Sequence, residues 1–231
     1  MRGPATGPDA EEEGKDPRMQ RTAAVLMTGE TGAAPPPGVA PDAYADALTE
    51  DAYEVAAGLE RCGAAVAVWS PDPDRAALLE ARAAGVTWPG TPVLRLGGPS
   101  PLGSVLAELH RRGAELAAVL AADAPDFPPL LMAKLFRALG RAEAAASPAD
   151  GGGLAAFAAR LPAPAWTSGV ELDTPDAVDA LTAARPARPA LALVPGWHRL
   201  RTPADTARLD PGLEGWECTR ALLENPSGLP L

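Results

Sequence analysis

One acidic residue stands where a strongly apolar segment of the sequence ends. In LAAVLAADAPDFPP (116–129), the apolar run stops at Asp123, and a proline-rich turn with Pro125 and a second acid, Asp126, follows. A carboxylate at a strand end can ligate Mg²⁺ or Mn²⁺, which bridges to a substrate diphosphate. Aspartates also cap turns and helices, so a purely structural role as an N-cap or turn acid is the alternative interpretation.

Two glycine-rich turns offer backbone rather than side chains to a ligand. SPADGGG (147–153) places three glycines after Asp150, which allows close backbone approach but is also typical of a hairpin turn. RLGGPSPLG (95–103) leads into a helix for which Ser100 is a suitable N-cap. A helix start can hold a phosphate, yet this segment has neither the dinucleotide fingerprint nor the Walker lysine.

A small cationic cluster lies near the C-terminal end of an otherwise acidic chain. GWHRLRTPAD (196–205) contains His198, Arg199 and Arg201. Arginine binds phosphate bidentately, so the segment could neutralise a ligand's charge. The alternative is a solvated strand edge whose arginines pair with nearby acids.

Composition narrows the functional classes. The chain has 231 residues, 47% of them hydrophobic, which suffices for one α/β domain. Its net charge of −10 argues against a nucleic-acid or anionic-membrane partner, because both require a cationic face. The two cysteines, Cys62 and Cys218, match no metal-ligand spacing, and no apolar run approaches about 20 residues. We therefore expect a cytoplasmic protein with free thiols.

Strand-like and helix-like segments alternate along the chain. This pattern predicts a three-layer α/β/α domain with a mostly parallel sheet over residues 21–210, between tails at 1–20 and 211–231. We expect the last helix to begin near Pro203. In such sheets, ligands bind outside the carboxyl ends of the strands, and Asp123 occupies that position after the most apolar strand.

Taken in order, these segments resemble a family of bacterial glycosyltransferase-like proteins, often labelled arsenosugar-biosynthesis-type. In that family a strand ends in Gly-Ser-Asp-Cys-Pro, and a later turn reads Pro-Ala-x-Asp-Gly-Gly. The resemblance covers about residues 22–209. It implies the GT-A, nucleotide-diphospho-sugar transferase fold, shared with the molybdenum-cofactor and phospholactate guanylyltransferases. By position, Asp123 resembles the acid that helps hold a divalent metal and the nucleotide phosphates. Asp150, Gly151 and Gly152 resemble the turn that lines the acceptor side.

Other segments match less completely. SPLGSVLAEL (100–109) keeps the Leu-Gly of the family's helix start, including Gly103, whereas the loop TGETGAAPPPGVAP (28–41) lacks the basic residues that contact phosphates in the family. Arg199 and Arg201 stand where the closing segment normally carries acids. Arginine cannot ligate a metal and would repel one. Either the arginines neutralise the phosphates instead, or the chain has lost transfer chemistry.

We therefore predict a GT-A-type glycosyltransferase- or nucleotidyltransferase-like protein that binds a nucleotide or nucleotide-sugar. Asp123 and Asp150 are the catalytic candidates, and Asp123 is the candidate ligand for Mg²⁺ or Mn²⁺, a role that the two arginines place in doubt. The predicted substrate contacts are Gly103, Gly151, Gly152, Arg199 and Arg201. The alternatives are a non-catalytic binding or scaffold protein on the same fold, and an unrelated α/β domain in which these positions would not cluster.

Overall fold

A single seven-stranded sheet organises the chain. The computed structural model describes residues 20–28 and 33–226, so all but the last residue of the predicted N-terminal tail lies outside the described residues. The strands are β1 (Arg21–Thr28), β2 (Gly63–Trp69), β3 (Val93–Arg95), β4 (Leu116–Ala121), β5 (Ala144–Pro148), β6 (Leu154–Arg160) and β7 (Leu191–Leu193). The α-helices are α1 (Pro41–Ala57), α2 (Pro73–Gly85), α3 (Pro101–Arg111), α4 (Pro129–Ala138), α5 (Ala177–Ala184) and α6 (Glu217–Glu224).

The strand order is β3-β2-β1-β4-β6-β5-β7. All neighbouring pairs are parallel except those of β6, which runs antiparallel to both β4 and β5. The mostly parallel three-layer α/β fold is therefore confirmed. After β3 the chain returns to the other side of β1 to form β4, so the strand order reverses between β1 and β4. Crevices at such switch points are the usual ligand sites of open α/β sheets.

Both faces of the sheet are covered by helices. Alternate residues of β1 enter different clusters: Val25 packs with residues of α1, α2 and α4, whereas Leu26 packs with residues of α3 and α5. Every residue of β4 is buried, as its continuous apolar sequence predicts for a central strand. Because alanine dominates these strands, the helices can lie close to the sheet.

Prolines and short polar caps set the helix starts. Ser100 accepts a hydrogen bond from the backbone N–H of Gly103, and a proline stands in the first turn of α3, as predicted. Asp72 caps α2 in the same manner. The helix expected near Pro203 is a single 3₁₀ segment, Pro203–Arg208, which a Thr202–Asp205 capping box begins.

The predicted C-terminal tail, residues 211–231, is described as far as residue 226 and contains the helix α6. The buried carboxylate of Asp51, on α1, accepts the backbone N–H groups of Cys218 and Thr219. Trp216, just before α6, is buried in the cluster formed by α1 and the 200–209 segment. The structure differs from the predicted tail because α1 supplies both the cap and the apolar surface that α6 needs.

Both cysteines are free thiols. In the portion of the chain that the structure describes, none of the helices combines the length and apolar character needed to cross a membrane.

Candidate functional site at the carboxyl edge of the sheet

Asp123 follows β4 after one intervening residue, Ala122, and is nearly inaccessible, with 2% of its surface exposed. Both of its carboxylate oxygens are bound by Arg199: Nε lies 2.5 Å from Oδ1, and Nη2 lies 3.0 Å from Oδ2. This is a bidentate, buried ion pair between residues 76 positions apart in the sequence. The strand end thus presents a neutralised carboxylate rather than a free one.

The rest of the Arg199 guanidinium is also engaged. Nη1 donates to the backbone carbonyls of Leu154 and Leu172, each at 3.2 Å, and lies 2.7 Å from Oδ1 of Asp173. Burial acts to lower the pKa of Arg199, but Asp123 and Asp173 outweigh it and raise that pKa above its ordinary value. Arg199 is therefore a buried, permanently charged group, and its role as a phosphate contact remains a prediction.

The segment containing Arg199 joins the other predicted parts of the site. The backbone N–H of Leu200 donates to the carbonyl of Asp123 at 2.7 Å, and the N–H of Asp150 donates to the carbonyl of Trp197 at 3.0 Å. Arg201 Nη1 donates to the carbonyl of Gly152 at 2.9 Å. The strand end, the glycine turn and the cationic segment thus lie together at one edge of the sheet.

The glycine turn between β5 and β6 is tightly packed. Its three glycines, Gly151, Gly152 and Gly153, have φ of 81°, 106° and 79°, the left-handed region that side chains avoid. A Cβ on Gly152 would lie 2.9 Å from the Pro175 carbonyl oxygen. The Asp150 side chain forms an ion pair with Arg208. The glycines thus permit both the turn and its contact with the segment that follows β6.

Arg201 is the more accessible of the two arginines. About a third of its side chain is exposed, and its Nη2 lies 3.5 Å from Asp173, which is itself largely exposed. Burial and the neighbouring charge of Arg199 lower the pKa of Arg201 relative to its ordinary value, although Asp123 and Asp173 oppose the shift. Arg201 remains a cation that a phosphate could reach.

The start of α3 already holds an acid. One carboxylate oxygen of Glu171 accepts the backbone N–H of Leu102 at 2.7 Å, and the other accepts the hydroxyl of Ser100. Gly103 leaves room for the Ser100 cap, because a Cβ there would lie 2.8 Å from Ser100 Oγ. The predicted phosphate position at this helix start is thus taken by the protein's own carboxylate.

Sequence reasoning did not assign the buried polar cluster beside this site. Trp197 Nε1 donates to Asp126 Oδ1 at 3.0 Å, and the Trp197 ring stacks on His198 with centroids 5.0 Å apart. His198 Nε2 lies 3.0 Å from Asp126 Oδ2 but is not aligned as a hydrogen bond. Asp126, the second acid of the proline-rich turn, was the signal in the sequence that could have indicated this cluster. Its partners Trp197 and His198 lie too far along the chain to be identified from the sequence.

A divalent cation does not fit Asp123 as the structure arranges it. Both oxygens of this carboxylate are hydrogen-bonded to a guanidinium, which would repel a metal ion at the same atoms. Elsewhere in residues 33–226, the carboxylates of Asp51, Glu54 and Glu217 have oxygens within 4.8 Å of one another and could hold a cation. These acids belong to α1 and α6, and the Asp51 carboxylate already caps α6.

A cavity of about 120 Å³ opens at the switch point between β1 and β4. Its walls come from the ends of these strands and from α1 and α2. The lining side chains are Met27, Thr28, Ala33, Pro41, Asp42, Ala45, Leu48, Thr49, Arg75, Leu79, Arg82, Ala122 and Asp123. Asp42, Arg75 and Arg82 carry charges that the sequence analysis did not connect to the site.

Neither a family model nor a curated protein matches the chain. Solved structures do match over most of their length. A protein described as a nucleotide-diphospho-sugar transferase from Desulfovibrio desulfuricans G20 superposes with a TM-score of 0.60 at 15% identity, over 90% of this chain and 96% of that one. A cytidylyltransferase from Leptospira borgpetersenii serovar Hardjo-bovis (strain JB197) gives a TM-score of 0.56 at 13% identity, over 93% and 99%.

A third similar structure is 4-diphosphocytidyl-2C-methyl-D-erythritol synthase from Anaerococcus prevotii DSM 20548. Its TM-score is 0.55 at 11% identity, over 88% of this chain and 96% of that one. At these identities the likeness defines the fold. The chain has the GT-A, nucleotide-diphospho-sugar transferase fold that the sequence analysis expects, and its sequence is divergent from those of these structures.

Proposed function

We propose that this protein binds a nucleotide or nucleotide-sugar at the carboxyl edge of β1 and β4, without a divalent cation at Asp123. The observation that carries the proposal is the cavity at the switch point, with Asp123 in its wall and the Arg199 guanidinium bound to that carboxylate. In this fold class the switch-point crevice is the expected ligand position.

In this proposal the arginines supply the positive charge that a metal would otherwise bring. Arg199 neutralises Asp123, so that a ligand phosphate meets no free carboxylate at the strand end. Arg201, which is partly exposed, contacts the phosphates directly. The Asp150–Gly152 turn keeps its predicted place on the acceptor side, and the cytoplasm remains the predicted location.

A non-catalytic binding protein on the same fold is the second candidate. It is favoured by the ion pairs of both predicted catalytic acids: Asp123 with Arg199, and Asp150 with Arg208. A carboxylate whose oxygens are bound by a guanidinium is less available to contact a substrate or a metal ion. Binding and turnover must therefore be measured separately.

The test is a thermal-shift titration of nucleoside diphosphates and diphospho-sugars in EDTA and in Mg²⁺ or Mn²⁺, followed by chromatography of the nucleotide products. A ligand at about 100 times its Kd adds roughly 2.7 kcal/mol of stability, a shift of several degrees. We expect the same shift in EDTA as with metal, and a smaller one in Arg201→Ala. Arg137→Ala, at an exposed arginine of α4, is the matched control.

Each outcome separates the candidates. A shift that requires metal refutes the metal-free site, and no shift with any nucleotide refutes nucleotide binding. A metal-independent shift accompanied by product formation indicates a transferase. The same shift without product, over a range of acceptors, favours the non-catalytic protein.

A further inference from the structure

The switch-point cavity is lined by two acids and two arginines, and three of these four side chains have an ion-pair partner. Four of its lining side chains are charged: Asp42, Arg75, Arg82 and Asp123. Arg82 Nη1 lies 2.6 Å from Asp42, and Asp123 is paired with Arg199. Two acid–arginine pairs thus account for three of the four lining charges.

The fourth charge is the guanidinium of Arg75. Of the residues that the structure describes, none forms a hydrogen bond or ion pair with this side chain, although its backbone N–H donates to the Asp72 cap. Arg75 is exposed and stands in the first turn of α2. Arg75, on the α2 wall, is therefore the lining charge for which the described residues offer no ion-pair partner.

Arg82, the other arginine that lines the cavity, could bind a ligand only by giving up its contacts with α1. Its Nε lies 2.7 Å from Asp46, and its Nη2 donates to the backbone carbonyl of Asp42, in addition to the Asp42 carboxylate contact. Its side chain is mostly buried between α1 and α2. Arg82 holds the two helices together, so that among the side chains lining the cavity the Arg75 guanidinium is the available donor group, in addition to Arg201 outside the lining.

We propose that Arg75 binds the phosphate or diphosphate group of the ligand in this cavity; the inference rests on the proposed function. A guanidinium presents paired donors that match two phosphate oxygens. The cavity of about 120 Å³ is smaller than the roughly 300–1,000 Å³ that buries a drug-sized ligand. The cavity takes only the anionic end, and the nucleoside lies outside it.

The apolar walls strengthen this contact. Leu48 and Leu79 line the cavity and are almost completely buried, so they hold water away from one side of it. Electrostatic attraction rises when water is excluded. An arginine with no partner among the described residues, placed beside apolar side chains, favours an oxyanion over a neutral or cationic group.

The experiment is isothermal titration of inorganic pyrophosphate and of a nucleoside diphosphate into wild type, Arg75→Ala, Arg75→Lys and the control Arg137→Ala, all in EDTA. We expect Arg75→Ala to raise the Kd at least tenfold and by the same factor for both ligands, because both share the anionic end. Arg75→Lys keeps the positive charge but loses the paired guanidinium donors, so we expect its Kd to lie between those of wild type and Arg75→Ala. Arg137→Ala binds like wild type. Circular dichroism melts check that the exposed substitutions leave the fold intact.

The experiment distinguishes a failure of the Arg75 contact from a failure of the proposed function. If wild type binds a nucleoside diphosphate and Arg75→Ala binds it within twofold of wild type, the role of Arg75 is refuted and the proposed function stands. A tenfold loss for the nucleotide with none for pyrophosphate also refutes the anionic contact. If wild type binds neither ligand, both the proposed function and this inference are overturned.

Discussion

Replacing Arg199 with methionine tests the central electrostatic feature of the site. The substitution keeps a long apolar stem but removes both guanidinium contacts to the Asp123 carboxylate, which is 2% exposed. Breaking one side of a buried ion pair costs about 3–5 kcal/mol, because an uncompensated charge stays in the interior. The carbonyls of Leu154 and Leu172 also lose their donor, whereas the loss of Asp173 matters little because that acid is exposed.

We therefore expect Arg199→Met to lower the free energy of unfolding by about 4 kcal/mol at neutral pH. The assay is urea denaturation followed by far-UV circular dichroism. The control is the double variant Asp123→Leu/Arg199→Met, in which no charge is stranded. Its loss should be at least about 2 kcal/mol smaller than the sum of the two single losses, a coupling energy within the range for residues in direct contact.

A small effect would refute the reasoning. If Arg199→Met unfolds within about 1 kcal/mol of wild type, Asp123 reaches water or another cation, and the pair is not the buried structural link described above. Additive losses in the double variant would show that the two side chains contribute independently. In either case the metal-free interpretation of the strand end would lose its basis.

Three further predictions concern single residues. Burial raises the pKa of Asp51 from 3.8 to about 6, so between these values the folded state holds a proton that the unfolded chain has released. The contribution of Asp51 to the free energy of unfolding therefore falls by up to ~3 kcal/mol as pH rises from about 4 to about 6. Urea denaturation at both pH values should show a smaller change of stability with pH in Asp51→Asn than in wild type. The same change in both proteins would contradict this prediction. Gly153→Ala places a Cβ 2.5 Å from the Leu172 carbonyl oxygen, whereas Gly151→Ala meets nothing within 4 Å. Both substitutions pay the left-handed strain of about 1–2 kcal/mol, so denaturant melts should show a clearly larger loss for Gly153→Ala, and equal losses would count against the turn geometry. Ser100→Ala removes the α3 cap and should cost about 1 kcal/mol in a thermal melt, with an unchanged Tm as the contrary result.

Local patterns were sufficient for much of the fold. The apolar run of β4 indicated a central strand, and the Ser100–Pro101 pair indicated the start of α3; both features depend on residues adjacent in the chain. Alternating strands and helices predicted the layered α/β architecture. The antiparallel pairing of β6 with β4 and the helix α6 were not predicted, because each depends on a partner element supplied by another part of the chain.

The site divides in the same way. The sequence by itself determined that an acid, Asp123, follows the central strand, that a glycine turn follows Asp150, and that the 196–205 segment is cationic. Only the tertiary structure decided that Arg199 binds both oxygens of Asp123, that Glu171 occupies the start of α3, and that Arg75 faces the switch-point cavity without a partner among the described residues. Residue type and spacing determine the local backbone and the available charges. The pairing of these charges depends on strand order and crossovers, which bring together residues such as Asp123 and Arg199, 76 positions apart.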